Sequence, residues 1–391
     1  MSGGGVANFK LTHYRNDSAL SRRNDAFGIN VLTGFRLGRS DRELYWKSMS
    51  LAESPPKIAD DTLPLRLVPS RCCVCGTDDG EPVGVGEDFE YWTSPDTFLA
   101  VQCPDCRLVY LNPRPALEEL PRIYPADYHA YDFSAKDFGL VYKIRRRLEA
   151  RRVLAYARGL PAGARILDIG CGDGFHLRLL KDFGDKSWQL AGVELDDRAA
   201  AVARKAGLLV HQGDVAELDL PANSYDLILL IMVIEHVADP AALLAAAGEL
   251  LKPGGRIVIV TDDAASPSFK MFSGRHWGGY HFPRHWNLFE RKNLAQLARN
   301  CGLQPVRIRS MMSPVNWVYS IHNYLSDRSW PRWLRNRFTL KSTVSLTLFT
   351  LLDQFLTLFG CGSLLCGTLQ KPDEKDRLGA TPTALRGHES A

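Results

Sequence analysis

Apolar runs alternate with amphipathic stretches over residues 165–310. Tyr225–Ile231 is almost continuously apolar, which is typical of a strand buried on both faces of a sheet. Further predicted strands are Arg165–Ile169, Trp188–Val193, Leu208–His211, Arg256–Thr261 and Pro305–Arg309. Predicted helices begin near Phe175 and cover Asp197–Lys205, Pro240–Leu251 (ending at the breaker Lys252-Pro-Gly-Gly) and Arg291–Asn300. The alternation predicts an α/β fold in which helices cover both faces of a parallel sheet.

The remaining chain divides by composition. Residues 1–68 have few periodic apolar positions and are predicted to be a poorly structured extension. Residues 69–135 contain two cysteine pairs and are predicted to form a zinc-ribbon-like segment, and a helical connector opens the core over residues 136–310. Residues 311–362 are predicted to be an insertion, residues 363–371 to supply a last strand at Leu364–Leu369, and residues 372–391 to be a disordered tail.

The insertion is rich in aromatic and basic residues and ends in an apolar stretch, Val344 to Phe359. Asp353-Gln354 interrupts that stretch, which is too short for a membrane span. Two interpretations stay open. The helix either caps the active site or forms the seam of a homodimer, or it lies at a membrane surface as a peripheral contact.

Composition narrows the class of protein. Of 391 residues, 45% are hydrophobic and 24% are charged, which is typical of a globular protein. A net charge of +4 is too small to indicate a nucleic-acid partner. The polar start has no apolar run behind it, and the nine cysteines suit a reducing compartment, so we expect a cytoplasmic protein.

A glycine-rich loop follows the first strand of the predicted core. It runs Asp168-Ile-Gly170-Cys-Gly172-Asp-Gly174 and leads into a helix. Glycines let the backbone approach a ligand closely, and the order D-x-G-x-G-x-G differs from the dinucleotide pattern G-x-G-x-x-G. Because Asp168 would repel a pyrophosphate, the loop suits a ligand that carries a cationic ammonium, and the spacing is evidence against a nicotinamide oxidoreductase.

Acidic residues follow the next predicted strands, where a nucleoside needs them. Glu194 ends the second strand, and its two oxygens can accept both ribose hydroxyls. Asp196 is a second candidate, with a helix N-cap as its alternative role. Asp214 and Val215 follow the third strand, where Asp214 can accept the adenine amino group or serve as a turn residue.

Together these motifs resemble the core of the class I S-adenosylmethionine-dependent methyltransferases over Arg165 to Val260. The likeness also includes Tyr225-Asp-Leu-Ile-Leu, Glu235-His-Val and Leu250-Leu-Lys-Pro-Gly-Gly. It implies S-adenosyl-L-methionine as cofactor and a seven-stranded, doubly wound Rossmann-like sheet whose last strand is antiparallel and pairs with the sixth. The intact acids are evidence against a non-catalytic scaffold that only binds the cofactor.

Two cysteine pairs, Cys72-x-x-Cys75 and Cys103-x-x-Cys106, have the spacing of metal hooks. Four thiolates suit tetrahedral Zn²⁺, and four protein ligands close the coordination shell, so the expected zinc is structural. The neighbouring runs Asp78-Asp-Gly-Glu and Glu87-Asp-Phe-Glu are acidic, which is evidence against a nucleic-acid-binding face.

Candidate catalytic bases come from two histidine clusters that follow strands four and five. His236 follows Glu235, and the second cluster, His276–Asn287, contributes Tyr280, His281 and His285. The carboxyl edge of a parallel sheet is where a ligand binds, so any of these histidines is a candidate general base. Tyr280 is a candidate assistant.

The second cluster, together with the cysteine pairs, resembles zinc-containing sugar C-methyltransferases. In that group a histidine of a Glu-His pair serves as base, which by position implies His285. Here Arg284 replaces the glutamate, so an alternative role is expected for it, such as holding a phosphate or carboxylate of the substrate.

We therefore expect a methyltransferase that acts on a small molecule. A sugar or glycan precursor or related secondary metabolite is the leading acceptor, with O- and C-methylation both open. A membrane lipid or quinone is the alternative, motivated by the aromatic and basic insertion.

Overall fold

A computed structural model describes residues 63–125 and 135–373 of the chain. The predicted extension lies outside these residues as far as position 62, and so does the predicted tail from position 374. The strands are β1 Leu67–Val68, β2 Glu81–Gly86, β3 Phe98–Gln102, β4 Val109–Leu111, β5 Arg114–Pro115, β6 Arg165–Ile169, β7 Gln189–Glu194, β8 Leu209–Gln212, β9 Tyr225–Ile231, β10 Leu251–Asp262, β11 Asn287–Leu288, β12 Gln304–Met311 and β13 Leu364–Gln370. The helices are α1 Leu120–Ile123, α2 Ala135–Tyr156, α3 Phe175–Phe183, α4 Asp197–Lys205, α5 Pro240–Leu250, α6 Pro267–Phe272, α7 Arg291–Asn300, α8 Val315–Asp327, α9 Arg332–Arg335 and α10 Thr343–Leu358.

The main sheet has seven strands in the order β12-β13-β10-β9-β6-β7-β8. Strand β9 is central because consecutive apolar side chains leave no polar face. Ile228 and Leu230 pack with residues of α5 and α7, and Leu227 and Leu229 pack with residues of α2 and α3. Helices on both faces of a mostly parallel sheet confirm the predicted Rossmann-like architecture.

Strand β13 is antiparallel to both of its neighbours, β10 and β12. This agrees with the antiparallel last strand that the family resemblance implies. The segment between β12 and β13 contains helices α8, α9 and α10. Among the described residues, no helix is long and apolar enough to cross a bilayer.

Strand β10 corrects one boundary. The breaker Lys252-Pro-Gly-Gly was expected to separate α5 from a strand beginning at Arg256, but pairing with β9 already starts at Leu251. A register shift between Leu251 and Arg256 accommodates the breaker, and Gly254 takes a φ of +76° that other residues rarely adopt. The strand thus tolerates a proline and two glycines by bulging at its start.

A second, four-stranded sheet joins the cysteine segment to the core. Its order is β11-β4-β3-β2, so strands of the cysteine segment pair with β11 from the histidine-rich loop. Asn287 pairs with Tyr110 and Leu288 with Val109. The loop that follows β10 is therefore fixed to the cysteine segment by backbone hydrogen bonds.

Candidate active site

The glycine loop turns at the carboxyl end of β6. Gly170, Gly172 and Gly174 have φ values of +71°, +55° and +80°, a left-handed conformation that favours glycine. A Cβ atom placed on Gly170 would lie 2.5 Å from Cγ2 of Val233, whereas a Cβ atom on Gly172 would meet nothing within 4 Å. The loop is packed at its base and open at Gly172, which leaves room for a ligand against the backbone.

Asp168 lies beneath this loop and is only 1% exposed. Its Oδ2 has no hydrogen-bond partner among the described residues, and His176 Nδ1 is 3.9 Å away. Burial and the nearby charge of Glu194 raise the pKa of Asp168 to about 8. A buried carboxyl with an unsatisfied oxygen fits the ammonium group of S-adenosylmethionine, because binding a cation would satisfy it.

Glu194 connects the loop to the end of β7. Its Oε2 accepts the Gly172 N–H at 2.7 Å, and its Oε1 accepts the Asp196 N–H at 2.9 Å. Burial raises the pKa of Glu194, although these backbone hydrogen bonds oppose the rise. A carboxylate oxygen can accept more than one hydrogen bond, so both oxygens of Glu194 can still accept hydrogen bonds from ribose hydroxyls.

The other nucleoside candidates have different surroundings. Asp196 caps α4 by accepting the N–H groups of Arg198 and Ala199, so its side chain serves the helix. Asp214 is exposed, and its Oδ1 accepts the Ala216 N–H in a turn after β8. Val215 is buried beside that turn.

The three candidate histidines lie together. The ring centroids of His236 and His285 are 4.5 Å apart, those of His281 and His285 are 4.9 Å apart, and those of His236 and His281 are 6.4 Å apart. Residues from two separate sequence motifs thus form one cluster. Its members lie in the loops that follow the carboxyl ends of β9 and β10.

His285 is buried and has a carboxylate beside it. Its Nδ1 is 2.8 Å from the Gly279 carbonyl oxygen and 3.3 Å from Asp262 Oδ2. A carbonyl only accepts, so Nδ1 carries the proton and the lone pair is on Nε2. Burial raises the pKa of Asp262 to about 7, and Asn316 Nδ2 donates to its Oδ1 at 2.6 Å.

His281 and His236 have other partners. Nδ1 of His281 donates to Glu90 Oε1 at 2.7 Å, and the backbone of His281 has a φ of +40°. His236 Nδ1 lies 2.8 Å from the Tyr124 hydroxyl and 3.2 Å from the Arg284 carbonyl oxygen. Burial and the neighbouring imidazoles of His285 and His281 lower the pKa of His236 well below its usual value, which favours its neutral form.

Glu235 lies at the inner side of the cluster and is fully buried. Its Oε2 accepts the Thr261 hydroxyl at 2.9 Å, and its Oε1 has no hydrogen-bond partner among the described residues. Burial and the charge of Asp262 raise the pKa of Glu235 to about 8. Ligand atoms of Glu235, His236 and His285 lie within 4.8 Å of one another, a spacing that would suit a divalent cation.

Arg284 does not face a substrate as expected. It is fully buried, and its guanidinium forms a bidentate pair with Asp88 at 3.1 and 2.8 Å. Its Nε also donates to the Ile123 carbonyl oxygen at 2.7 Å. Burial alone would raise the pKa of Asp88, but the charge and hydrogen bonds of Arg284 outweigh it and the pKa is lowered. The arginine therefore anchors the histidine loop to the cysteine segment.

Tyr280 also differs from its expected role. Its ring is buried and stacks on Phe282 with centroids 4.7 Å apart, and its hydroxyl donates to the Ser273 carbonyl oxygen. Burial raises its pKa. The side chain thus supports the loop by packing.

The four predicted metal ligands come together. The Sγ atoms of Cys72, Cys75, Cys103 and Cys106 lie within 4.8 Å of one another, and Cys72 and Cys106 are 3.4 Å apart. Four sulfurs around one zinc at about 2.3 Å would be about 3.8 Å apart. The donor set and its spacing therefore fit a tetrahedral zinc ion.

Sequence reasoning missed the residues that position the histidine loop. Glu90 and Asp262 lie beside His281 and His285, Asp88 pairs with Arg284, and Asn316 donates to Asp262. Asp88 and Glu90 were interpreted as an acidic surface, whereas both are directed at the histidine loop. A signal existed for one of them, because Asp262 ends a strand at the carboxyl edge, as Asp168 nearly does. Nothing in the sequence spacing linked Asp88 to Arg284.

Comparison with known proteins gives a consistent result for the core. Residues 142–308 match the model of a family described as a methyltransferase domain. Over 178 residues the chain is 36% identical to a ubiquinone biosynthesis O-methyltransferase of Cereibacter sphaeroides, covering 42% of this chain and 69% of that protein. The enzyme of the same name from Bordetella pertussis is 30% identical over 177 residues, covering 42% and 72% respectively.

Solved structures with a similar course of chain include phosphoethanolamine N-methyltransferase 2 of Haemonchus contortus in complex with S-adenosyl-L-methionine. It has 18% identity and a TM-score of 0.44, and the match covers 75% of this chain and 69% of that one. Geranyl diphosphate C-methyltransferase of Streptomyces coelicolor has 12% identity and a TM-score of 0.41, with 61% and 85% covered.

Proposed function

We propose that this chain, which belongs to the class I S-adenosylmethionine-dependent methyltransferases, methylates a hydroxyl group on the ring of a quinone precursor. The sugar acceptor favoured by the sequence motifs is the second candidate. The name shared by the relatives supports the first, since ubiquinone biosynthesis O-methyltransferases align with this chain over most of their own length. Transfer to oxygen also needs a base for the hydroxyl proton, and the histidine cluster offers one.

The observation that carries the proposal is the pairing of His285 with Asp262 at the end of β10. With its Nδ1 proton directed at Gly279 and Asp262, His285 presents the lone pair of Nε2 as the base. Asp262 stabilises the imidazolium that forms when the base takes the proton. His281 and His236 are the alternative bases in the same cluster.

When bound, S-adenosylmethionine supplies an electrophilic methyl group on its sulfonium. Asp168 would hold the ammonium of the amino-acid part, Glu194 the ribose hydroxyls, and Asp214 and Val215 would lie beside the adenine. His285 would remove the hydroxyl proton of the acceptor, whose oxygen would take the methyl group that the sulfonium supplies, and the sulfur would leave as a neutral thioether. The proton remains on His285 until water accepts it.

We further infer that Cys72, Cys75, Cys103 and Cys106 hold a structural zinc ion. Its role is to fix β3 and β4, to which the histidine loop is paired through β11. The ion would then act on catalysis through the positions of Asp88 and Glu90, with no part in the reaction itself.

The test measures methyl transfer to two acceptors: a dihydroxybenzoate with a short prenyl chain and a nucleotide-linked keto-sugar. We expect turnover of the first, with His285→Gln lowering kcat roughly 100- to 10,000-fold at unchanged cofactor affinity. His211→Gln, on β8, is the matched control and should retain activity. Turnover of the keto-sugar alone would replace the quinone assignment with the sugar one, and an unchanged kcat in His285→Gln would remove that residue from the base role.

A further inference from the structure

The outward side of α10 is apolar along its whole length. Residues at helical spacing on this side are between 57% and 79% exposed: Val344, Leu348, Leu351, Phe355 and Leu358, followed by Phe359. The other exposed positions between Thr343 and Phe359 are neutral: threonine, leucine and glutamine. Single exposed apolar residues are common on protein surfaces, but a row of them along one helix face is not. A continuous exposed apolar stripe of this kind therefore indicates an interaction surface.

The single acidic residue of α10 leaves this stripe intact. Asp353 is fully buried on the inner side, where its carboxylate accepts the Ser313 N–H, the Trp317 indole N–H, and both the N–H and the hydroxyl of Ser363. The sequence interpretation of Asp353 as an interruption of an apolar helix is therefore wrong. The charge pins α10 to α8 and β13 and is absent from the outward face.

Cations and aromatic side chains surround the approach to α10. The loop and short helix before it expose Trp330 and Trp333, and the exposed cations there are Arg328, Arg332, Arg337 and Lys341. The only acids from α8 to the end of α10 are Asp327 and Asp353. Asp327 pairs with Arg275 and His276, and Asp353 is engaged on the inner side of α10, so the segment carries an excess of cations over acids.

We propose that the outward face of α10, with these cations and tryptophans, docks on a membrane surface that contains anionic lipid. Apolar side chains of an amphipathic helix enter the boundary of headgroups and acyl chains, tryptophan is favoured at that depth, and each cation near an anionic surface adds attraction. A second copy of this chain would bring the same cations toward each other, whereas anionic lipid supplies the opposite charge. The charge of the rim thus selects lipid as the occupant.

Side-chain contacts through α8 connect the docking face to the histidine cluster. Trp317 on α8 donates to Asp353 of α10, and the neighbouring Asn316 donates to Asp262, which lies beside His285. One helix, α8, therefore contacts both α10 and the carboxylate that lies beside the proposed base. The inference deepens the proposed function by placing the acceptor in a lipid surface, but docking is measurable without any methyl transfer.

Docking is tested by co-sedimentation of the full chain with phosphatidylcholine vesicles that contain or lack phosphatidylglycerol. We expect binding to the anionic vesicles that weakens as salt is added. The pair Leu348→Ser/Phe355→Ser should abolish it, and Arg337→Gln/Lys341→Gln should weaken it roughly thirtyfold. Val202→Ser, which changes an exposed apolar residue on α4, is the matched control and should bind as the wild type does.

Three results would overturn the proposal. The first is no binding of the wild type to anionic vesicles at low salt, and the second is full binding by Leu348→Ser/Phe355→Ser. The third is a dimer, measured by sedimentation velocity, that this double variant dissociates while vesicles are not bound. Turnover of a water-soluble acceptor is measured in parallel: we expect the double variant to retain it, so loss of docking and failure of the proposed chemistry are distinguished.

Discussion

The cofactor edge, which is the glycine loop 168–174 with Glu194, and the contacts of the histidine loop 276–287 both contain buried acidic residues. The surroundings of these acids shift their pKa values in opposite directions. Asp168 is buried with an oxygen that lacks a hydrogen-bond partner among the described residues, and its pKa is raised to about 8. Asp88 is equally buried but fully engaged by Arg284 and by the turn after it, and its pKa is lowered. Asp168 is left with an unsatisfied oxygen, whereas Asp88 joins the cysteine segment to the histidine loop through Arg284.

The difference shows how the two halves of the site are specified. The cofactor edge is built from backbone turns and acids that lie at the ends of successive strands. The histidine loop depends on contacts between distant parts of the chain, since Asp88 and Glu90 reach Arg284 and His281 from the cysteine segment. We therefore expect substitutions at the first edge to change ligand affinity, and substitutions of the pair that anchors the histidine loop, Asp88 and Arg284, to change the stability of the fold.

The largest expected effect is on stability. Asp88→Asn leaves the buried guanidinium of Arg284 without its counter-charge, and should lower the free energy of unfolding by about 3–5 kcal/mol. Urea unfolding monitored by circular dichroism measures the change. Asp78→Asn removes a solvent-exposed ion pair with Arg71 and should have little effect.

A double variant sharpens that test. In Asp88→Asn/Arg284→Gln no unpaired charge is left in the interior, so we expect the double variant to be more stable than Asp88→Asn alone. A double variant that is no more stable would mean that Asp88 acts through its turn and not through Arg284.

A smaller effect is expected at the cofactor edge, on a different quantity. Asp168→Asn should weaken binding of S-adenosylmethionine roughly 10- to 100-fold, since it replaces a charge-assisted hydrogen bond by a neutral one. The stability of unliganded Asp168→Asn at pH 8 should not fall below that of the wild type. Because the pKa of Asp168 is raised in the folded protein, the wild type loses stability progressively as the pH rises from about 4 to about 8. Calorimetric titration and urea unfolding on the same sample decide whether the two regions differ as described.

The smallest effect per step is the dependence of cofactor affinity on pH, which is at most about tenfold per pH unit. In the proposed site the ammonium of the cofactor pairs with ionised Asp168, and with a pKa of about 8 most of this carboxyl group is protonated at pH 6. Cofactor affinity should therefore rise by at most about tenfold per pH unit from pH 6 and level off near pH 8. Titrations across this range, repeated with Asp168→Asn, should show the slope only in the wild type. An equal slope in the variant would assign it to another group.

Local sequence signals were sufficient for the core. Tyr225–Ile231, Asp197–Lys205 and Arg291–Asn300 were predicted with the bounds that the structure gives, because apolar periodicity and capping residues act within one element. The clustering of the four cysteines was also predictable, since two Cys-x-x-Cys pairs have the spacing of a metal site. The three histidines were recognised as candidates because they follow strands whose carboxyl ends meet at one edge of the sheet.

What escaped prediction depends on tertiary contact. The guanidinium of Arg284 is a group that often binds a phosphate or carboxylate of a substrate. Only its burial against Asp88 shows that it anchors the histidine loop. In the sequence, Asp353 interrupts an apolar helix. In the structure, its carboxylate accepts four hydrogen bonds on the inner side of that helix. A charged side chain has the same sequence signature whether it faces inward or outward, so its partner decides its role.

The pairing of β11 with β4 has a consequence for synthesis on the ribosome. Val109–Leu111 is translated about 175 residues before Asn287–Leu288, which at typical speeds leaves that strand edge open for roughly 10–35 s. An open edge invites pairing with other chains, and the nascent polypeptide carries this hazard until the loop emerges. Early capture of zinc by the four cysteines would hold the edge in its native shape through that interval, so metal supplied during translation should improve the yield of folded protein more than metal added afterwards.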